Sequence, residues 1–193
     1  PAGEGSEARY SQLYALAERG MLTVDELNTD TFLITGQQHR ELSMKIFNEA
    51  DESLKVGSRL LKRAFKYNEL DAQTDNPTLA RASKSAFENA DFALQDEFSR
   101  REAEGNPMTL QEILDFAKQQ IDVFGETFRE ELRFELEDYF INQVQEAFPA
   151  IEFDLADPLG AIDRWYEGLP GREQDRVRSR KTNFRRIIRT RFS

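Results

Sequence analysis

The chain has 193 residues, no cysteine and one histidine, and carries 26 Lys/Arg against 36 Asp/Glu for a net charge of −10. The missing thiols exclude disulfides, Cys-ligated zinc, iron–sulfur clusters and thiol catalysis. With His39 alone, any metal site would rest almost wholly on carboxylates.

The residues Pro1 to Ala8 are small and polar without an apolar run, so they read as a disordered lead-in rather than a signal peptide. Ala8 to Arg19 predicts a short helix with Tyr10, Leu13, Leu16 and Ala17 on one side, closed by Gly20. Thr23 and Glu26 have the spacing of a capping box, in which each side chain satisfies the other's backbone N–H. Thr29 to Gly36 could hold a short extended segment or pack as a loop.

A long helix is expected from about Gln37 to Leu70, with Leu42, Ile46, Phe47, Ala50, Leu54, Gly57, Leu61, Ala64 and Phe65 along one stripe. Asp71 to Asn76 reads as a turn, and Asn76-Pro77 opens a further helix running to about Glu104. Its inward positions are Leu79, Ala82, Ala86, Phe87, Ala90, Ala93, Leu94 and Phe98. Small residues recur seven apart on both stripes: Ala50, Gly57 and Ala64 on one, Ala86 and Ala93 on the other. Such stripes can pack close together, so 37–104 is read as an antiparallel helical hairpin.

After Gly105-Asn106-Pro107, Thr109 with Glu112 repeats the capping-box spacing, and no proline follows until Pro149. The pattern predicts one helix over Thr109–Phe148. Its main stripe is Leu110, Leu114, Ala117, Ile121, Phe124, Phe128, Leu132, Leu136 and Tyr139. A second, thinner stripe lies almost opposite: Phe116, Val123, Phe134, Ile141 and Phe148. Left uncovered, an apolar seam of that kind marks association, so these five residues are the candidate self-association surface. Ala150 to Ala156 reads as extended, Asp157-Pro158 restarts a short helix, and Gly168 to Gly171 forms a hinge.

The sharpest asymmetry is electrostatic. From Arg172 to Ser193 nine Lys/Arg stand against two Asp/Glu, whereas the other 171 residues hold 17 against 34. Arginine forks bind phosphate, so Arg178, Arg180, Lys181, Arg185, Arg186, Arg189 and Arg191 are candidate partner- or polyanion-binding residues. The same pattern suits an anionic membrane, an acidic partner protein, or docking onto the chain's own acidic body. Lys55, Arg59, Lys62, Arg63 and Lys66 form a second basic strip, which is either a solvated helix face or part of such a site.

The helix over 109–148 is rich in acids, but no Glu-x-x-His occurs to suggest a carboxylate metal centre, and no metal or cofactor is expected. His39 reads as a surface or capping residue, and Trp165-Tyr166 as an aromatic latch. No glycine-rich phosphate loop, Gly-x-Ser-x-Gly or His-Glu-x-x-His is present.

The fold is therefore expected to be all-α: an elongated bundle on a long antiparallel hairpin, with a further long helix and an appended basic C-terminal helix. The expected division is a 1–8 lead-in, a 9–168 acidic bundle and a 169–193 basic amphipathic helix. The expected function is that of a cytoplasmic, non-enzymatic assembly or adaptor protein whose partner is another protein or itself, as a homo-oligomer. The alternative is a DNA- or RNA-binding protein using the C-terminal helix, and a carboxylate-dependent enzyme comes third.

Overall fold

The computed structural model describes residues 4–30, 33–67, 69 and 76–192, with side chains from residue 7 onward. Regular structure among them is entirely helical. No helix among them is long and apolar enough to cross a membrane. The chain divides into two compact units, Pro1–Glu126 and Thr127–Ser193.

Unit 1 holds α1 (Glu4–Glu18), α2 (Val24–Thr29), α3 (Gly36–Ala64), α4 (Pro77–Ala103) and α5 (Leu110–Phe124). Its centre is α3, which packs on α1, α2, α4 and α5, while α4 and α5 also pack on each other. The expected stripe of α3 is the buried one: Leu42, Ile46, Ala50, Gly57 and Leu61 are inside. In α4 the buried set is Leu79, Ser83, Ala86, Phe87, Ala90, Leu94 and Phe98. Gly57 sits where α4 and α5 converge: a Cβ there would lie 2.6 Å from Ile113 Cγ2 and 3.1 Å from Leu94 Cδ2. The close approach read for two helices thus serves three.

Helix ends follow local hydrogen-bond chemistry. Capping boxes form at Thr23/Glu26, Thr35/Gln38 and Thr109/Glu112. Asn76 caps α4 ahead of Pro77. Gly20 turns the chain out of α1 with φ +67° and accepts a hydrogen bond from Leu110 N–H at 3.0 Å. A side chain there would be strained and would crowd Ser53 and Leu110.

Several boundaries differ from expectation. α1 begins at Glu4, within the stretch expected to be disordered, and residues 1–3 lie outside the described residues. α3 ends at Ala64, not near Leu70, because Lys66 takes a left-handed conformation with φ +53°. The turn expected at Asp71–Asn76 falls outside the described residues except for Asn76, as do Thr31 and Phe32 of the segment 29–36.

The single helix expected over Thr109–Phe148 is corrected by Gly125, which ends α5 with ψ opened to −7°. Glycine is about 1 kcal/mol poorer than alanine inside a helix, so the helix gives way there. The boundary between the units falls one residue later, so the two halves of the expected frame helix serve two different cores. The expected main stripe is borne out in part. Ala117, Phe128 and Leu136 of that stripe are buried, but Leu110, Leu114, Ile121 and Phe124 are half-buried, and Ile113, Phe140 and Val144, which the stripe lacks, are fully buried.

Unit 2 holds α6 (Glu126–Tyr139), a π-helical segment (Phe140–Gln145), α7 (Pro158–Glu167) and α8 (Gly171–Phe192). The π turn has a reason in the sequence. Leu132, Leu136, Phe140, Val144 and Phe148 recur every four residues. On an α-helix each such step drifts about 40° around the axis; a wider π turn drifts back and keeps the row on one side. Gln145 then donates to Ile151 C=O at 2.9 Å, tying down the chain that leaves the helix. The units do not follow the charge boundary, since the basic helix α8 packs on α7 and supplies Ile188 to the core of unit 2.

Candidate functional site

The basic helix α8 meets its unit along an apolar edge. Ile188 is buried, and Phe184 and Phe192 pack against the cluster of Leu136, Phe140, Val144, Ile151 and Ile162. Rings join the elements: Phe148 lies 4.5 Å from Trp165 and 6.1 Å from Phe184, Phe140 lies 4.9 Å from Phe153, and Tyr139 lies 5.7 Å from Phe192. Trp165 and Phe148 of the sequence reading are therefore core-packing rings.

The cations of α8 divide by what they touch. Arg185 donates to the Asp163 carboxylate and to Leu159 C=O, and Lys181 approaches the same carboxylate at 4.0 Å. Lys181 also stands 4.0 Å above the Tyr166 ring. Arg191 reaches Glu135 at 3.9 Å. These three side chains are partly buried and help hold α8 in place. Arg178 donates to the Tyr166 hydroxyl and to Asp175, and the Tyr166 bond raises its affinity for its proton further. Arg180 lies over the Phe148 ring and Arg186 donates to Asn183. Burial pushes the Tyr139 phenol up, with the Arg191 and Arg186 charges pulling it down.

The outward set that remains overlaps the one the charge pattern picks out. Arg180, Arg186 and Arg189 are exposed and make no ion pair among the described residues, and the same holds for Arg172 and Arg176, which the candidate list lacks. Asp163, the acceptor that removes Arg185 and Lys181 from this set, stands 22 residues from Arg185 in the chain, and no local pattern marks it.

The second basic strip is incomplete. Lys55 pairs with Glu52, Arg59 donates to Lys55 C=O, and Lys62 lies 5.7 Å from the Phe87 ring centre. Arg63 is exposed. Lys66 leaves the strip: it is buried beyond the end of α3, and burial pushes its ammonium down from the ordinary lysine value, with Glu69 opposing. Unit 1 thus presents four of the five cations on its surface.

The five residues of the thin stripe also separate. Val123 is 66% exposed in unit 1, and Phe134 and Ile141 are 59% and 45% exposed in unit 2. Phe116 is half-buried. Phe148 belongs to the core of unit 2. Phe92, absent from the sequence reading, is 73% exposed on α4. His39 lies in the first turn of α3, its Nε2 3.0 Å from Asn28 Oδ1. Among the described residues no three His, Asp or Glu converge as metal ligands.

Comparison with protein-family models, with curated proteins and with solved structures found no match to this chain.

Proposed function

We propose that this is a non-enzymatic assembly or adaptor protein that works through helical protein–protein interfaces, its first partner being a second copy of itself. The observation that carries this reading is the pair Phe134 and Ile141. They are seven residues apart on the continuous run of α6 and its π-helical segment, 59% and 45% exposed, while Leu136, Phe140 and Val144 of the same run are buried. Large apolar side chains stacked on a helix face and left to water favour association. In this reading α3 and α4 are the arms of an antiparallel hairpin, a rigid frame with α5 packed against both. The cysteine-free composition suits a cytoplasmic setting.

The test is the double variant Phe134→Ser/Ile141→Ser. Light scattering should show a lower oligomeric state than wild type, with the helical circular dichroism retained because both side chains lie outside the core. A wild-type chain that is monomeric at every accessible concentration would overturn the proposal.

A second reading is favoured by Arg172, Arg176 and Arg189, which project from α8 without ion-pair partners among the described residues. In it, the outward face of α8 binds the phosphate backbone of DNA or RNA. Three neutralised phosphates on a duplex give a slope of about −2.7 for log affinity against log salt. Replacing all three with Gln should weaken that binding and flatten the slope, whereas Arg185→Gln should instead loosen α8. Absence of low-salt binding by wild type would end this reading.

A further inference from the structure

Unit 2 carries a groove that neither reading uses. One end, about 480 Å³, is walled by Leu132, Leu136, Leu155 and Phe192, with Arg129 and Arg133 on its side. A second depression of about 330 Å³ shares Leu136, Leu155 and Phe192 and continues over Pro158 and Ile188. The shared walls make these two ends of one channel. Its asymmetry comes from the helix: positions 129, 132, 133 and 136 fall on one face of α6, so two guanidinium groups one turn apart stand beside two leucines. Arg133 is exposed and makes no ion pair among the described residues. The far end includes Asp157, but its carboxylate is occupied, accepting from Gly160 N–H at 2.9 Å and lying 3.4 Å from Arg164. Leu155, on the wall, remains 42% exposed.

We infer that this groove binds a monoanionic amphiphile, a free long-chain carboxylate of the fatty-acid class. The carboxylate sits at Arg133, and the chain lies along Leu132, Leu136, Leu155 and Phe192. Cationic charge at one end selects a ligand charged at one end, because arginine forks pair bidentately with a carboxylate. The apolar walls select the chain. A polyanion would leave the leucines unused, and a neutral hydrocarbon would leave Arg133 unused. The inference stands apart from the assembly reading, because Phe134 and Ile141 take no part in the groove.

The test is calorimetric titration of the full chain with dodecanoate below its micellar concentration, beside dodecyltrimethylammonium, which has the same chain and the opposite charge. Dodecanoate should bind one per chain and at least tenfold more tightly than the cation. Arg133→Glu, a change at an exposed position, should weaken dodecanoate at least tenfold with the melting curve unchanged. Ala156→Trp should weaken both amphiphiles by filling the groove, and Leu155→Asp replaces it if that variant does not fold. Equal binding of both amphiphiles, many molecules per chain, or an unaffected Arg133→Glu variant would overturn the inference. Sedimentation with phosphatidylglycerol vesicles in the absence of dodecanoate binding would overturn it too, assigning the arginines to a membrane surface.

Discussion

Both units bury rings, but unit 1 sets them beside side chains of little bulk at its helix crossings, whereas unit 2 gathers further, partly buried rings around its core. In unit 1, Ala50, Gly57, Ala86, Ala90 and Ala117 are buried among Leu42, Leu61, Phe65, Leu79, Phe87, Leu94, Phe98 and Ile113. In unit 2, Phe140 is fully buried and Phe148, Phe153, Trp165, Phe184 and Phe192 pack around the same cluster. Their charges differ as well. Residues 1–126 hold 14 Lys/Arg against 23 Asp/Glu, and residues 127–193 hold 12 against 13. Small residues let the long helices of unit 1 lie close. In unit 2 the aromatic area of the surrounding rings adds to the contact between helices. The near balance of charge in unit 2 also gives the basic helix a local role: Asp163 and Glu135 draw three of its cations inward.

The largest effect that probes this contrast is expected from Phe140→Ala. Truncating a fully buried phenylalanine costs about 3–5 kcal/mol. Amides in 127–192 should lose hydrogen-exchange protection by that amount, while those of α3 and α4 keep theirs. Equal loss in both units would mean that they unfold as one cooperative body, and the contrast would describe composition without independence.

Gly57 tests the other side at smaller magnitude. Helix propensity alone favours Gly57→Ala by about 1 kcal/mol. The geometry opposes it, because the new methyl would meet Ile113 Cγ2 at 2.6 Å, and a β-branched side chain in a helix has little rotamer freedom to retreat. Overpacking costs about 1–3 kcal/mol. Gly57→Ala should therefore be destabilising by about 1 kcal/mol net in urea titration, and Gly57→Leu by more. A stabilised alanine variant would show that α5 yields easily and that the crossing is not tightly packed.

The stripes of α3 and α4 were legible because each helix keeps a straight 3.6-residue period over its whole buried length. The capping boxes were legible too, and Thr35/Gln38 obeys the same rule as the two that were read. The register beyond Gly125 was legible only in part, for two physical reasons. A constant angle per residue cannot pass a glycine break or a π turn, and both occur between Gly125 and Gln145. The four-residue spacing of Leu132, Leu136, Phe140, Val144 and Phe148 was the available sign. In the candidate site, the composition of α8 was plain but its outward face was not. Arg185 and Arg189 look alike in sequence, and only a carboxylate contributed by α7 separates them.

The smallest expected effects concern two carboxyls of unit 1 that titrate in opposite senses. Burial pushes the Glu112 carboxyl up, but Arg101 at 2.6 Å and the Thr109 N–H at 3.3 Å outweigh it, and the net value lies below the ordinary one. Its folded value is thus lower than its unfolded value. The stability it contributes is present above the unfolded value, about 4.3, and is lost as pH falls through the folded value. Glu102 is the reverse: burial and the neighbouring Asp51 raise it. Its ionised form opposes folding at neutral pH, and that opposition is relieved as pH falls through the raised value. Acidification from pH 7 should therefore give unit 1 a slight gain before the loss sets in. Both groups are half-buried and partly screened by solvent, so Glu102→Gln should add at most about 0.5 kcal/mol at pH 7. That variant should remove the gain and keep the loss, and Glu112→Gln should keep the gain and blunt the loss. Melting curves between pH 3 and 7 check both. A monotonic fall in wild type, unchanged by Glu102→Gln, would show that the Asp51–Glu102 pair carries no measurable repulsion and leave only the Glu112 clasp as a pH-sensitive element of this unit.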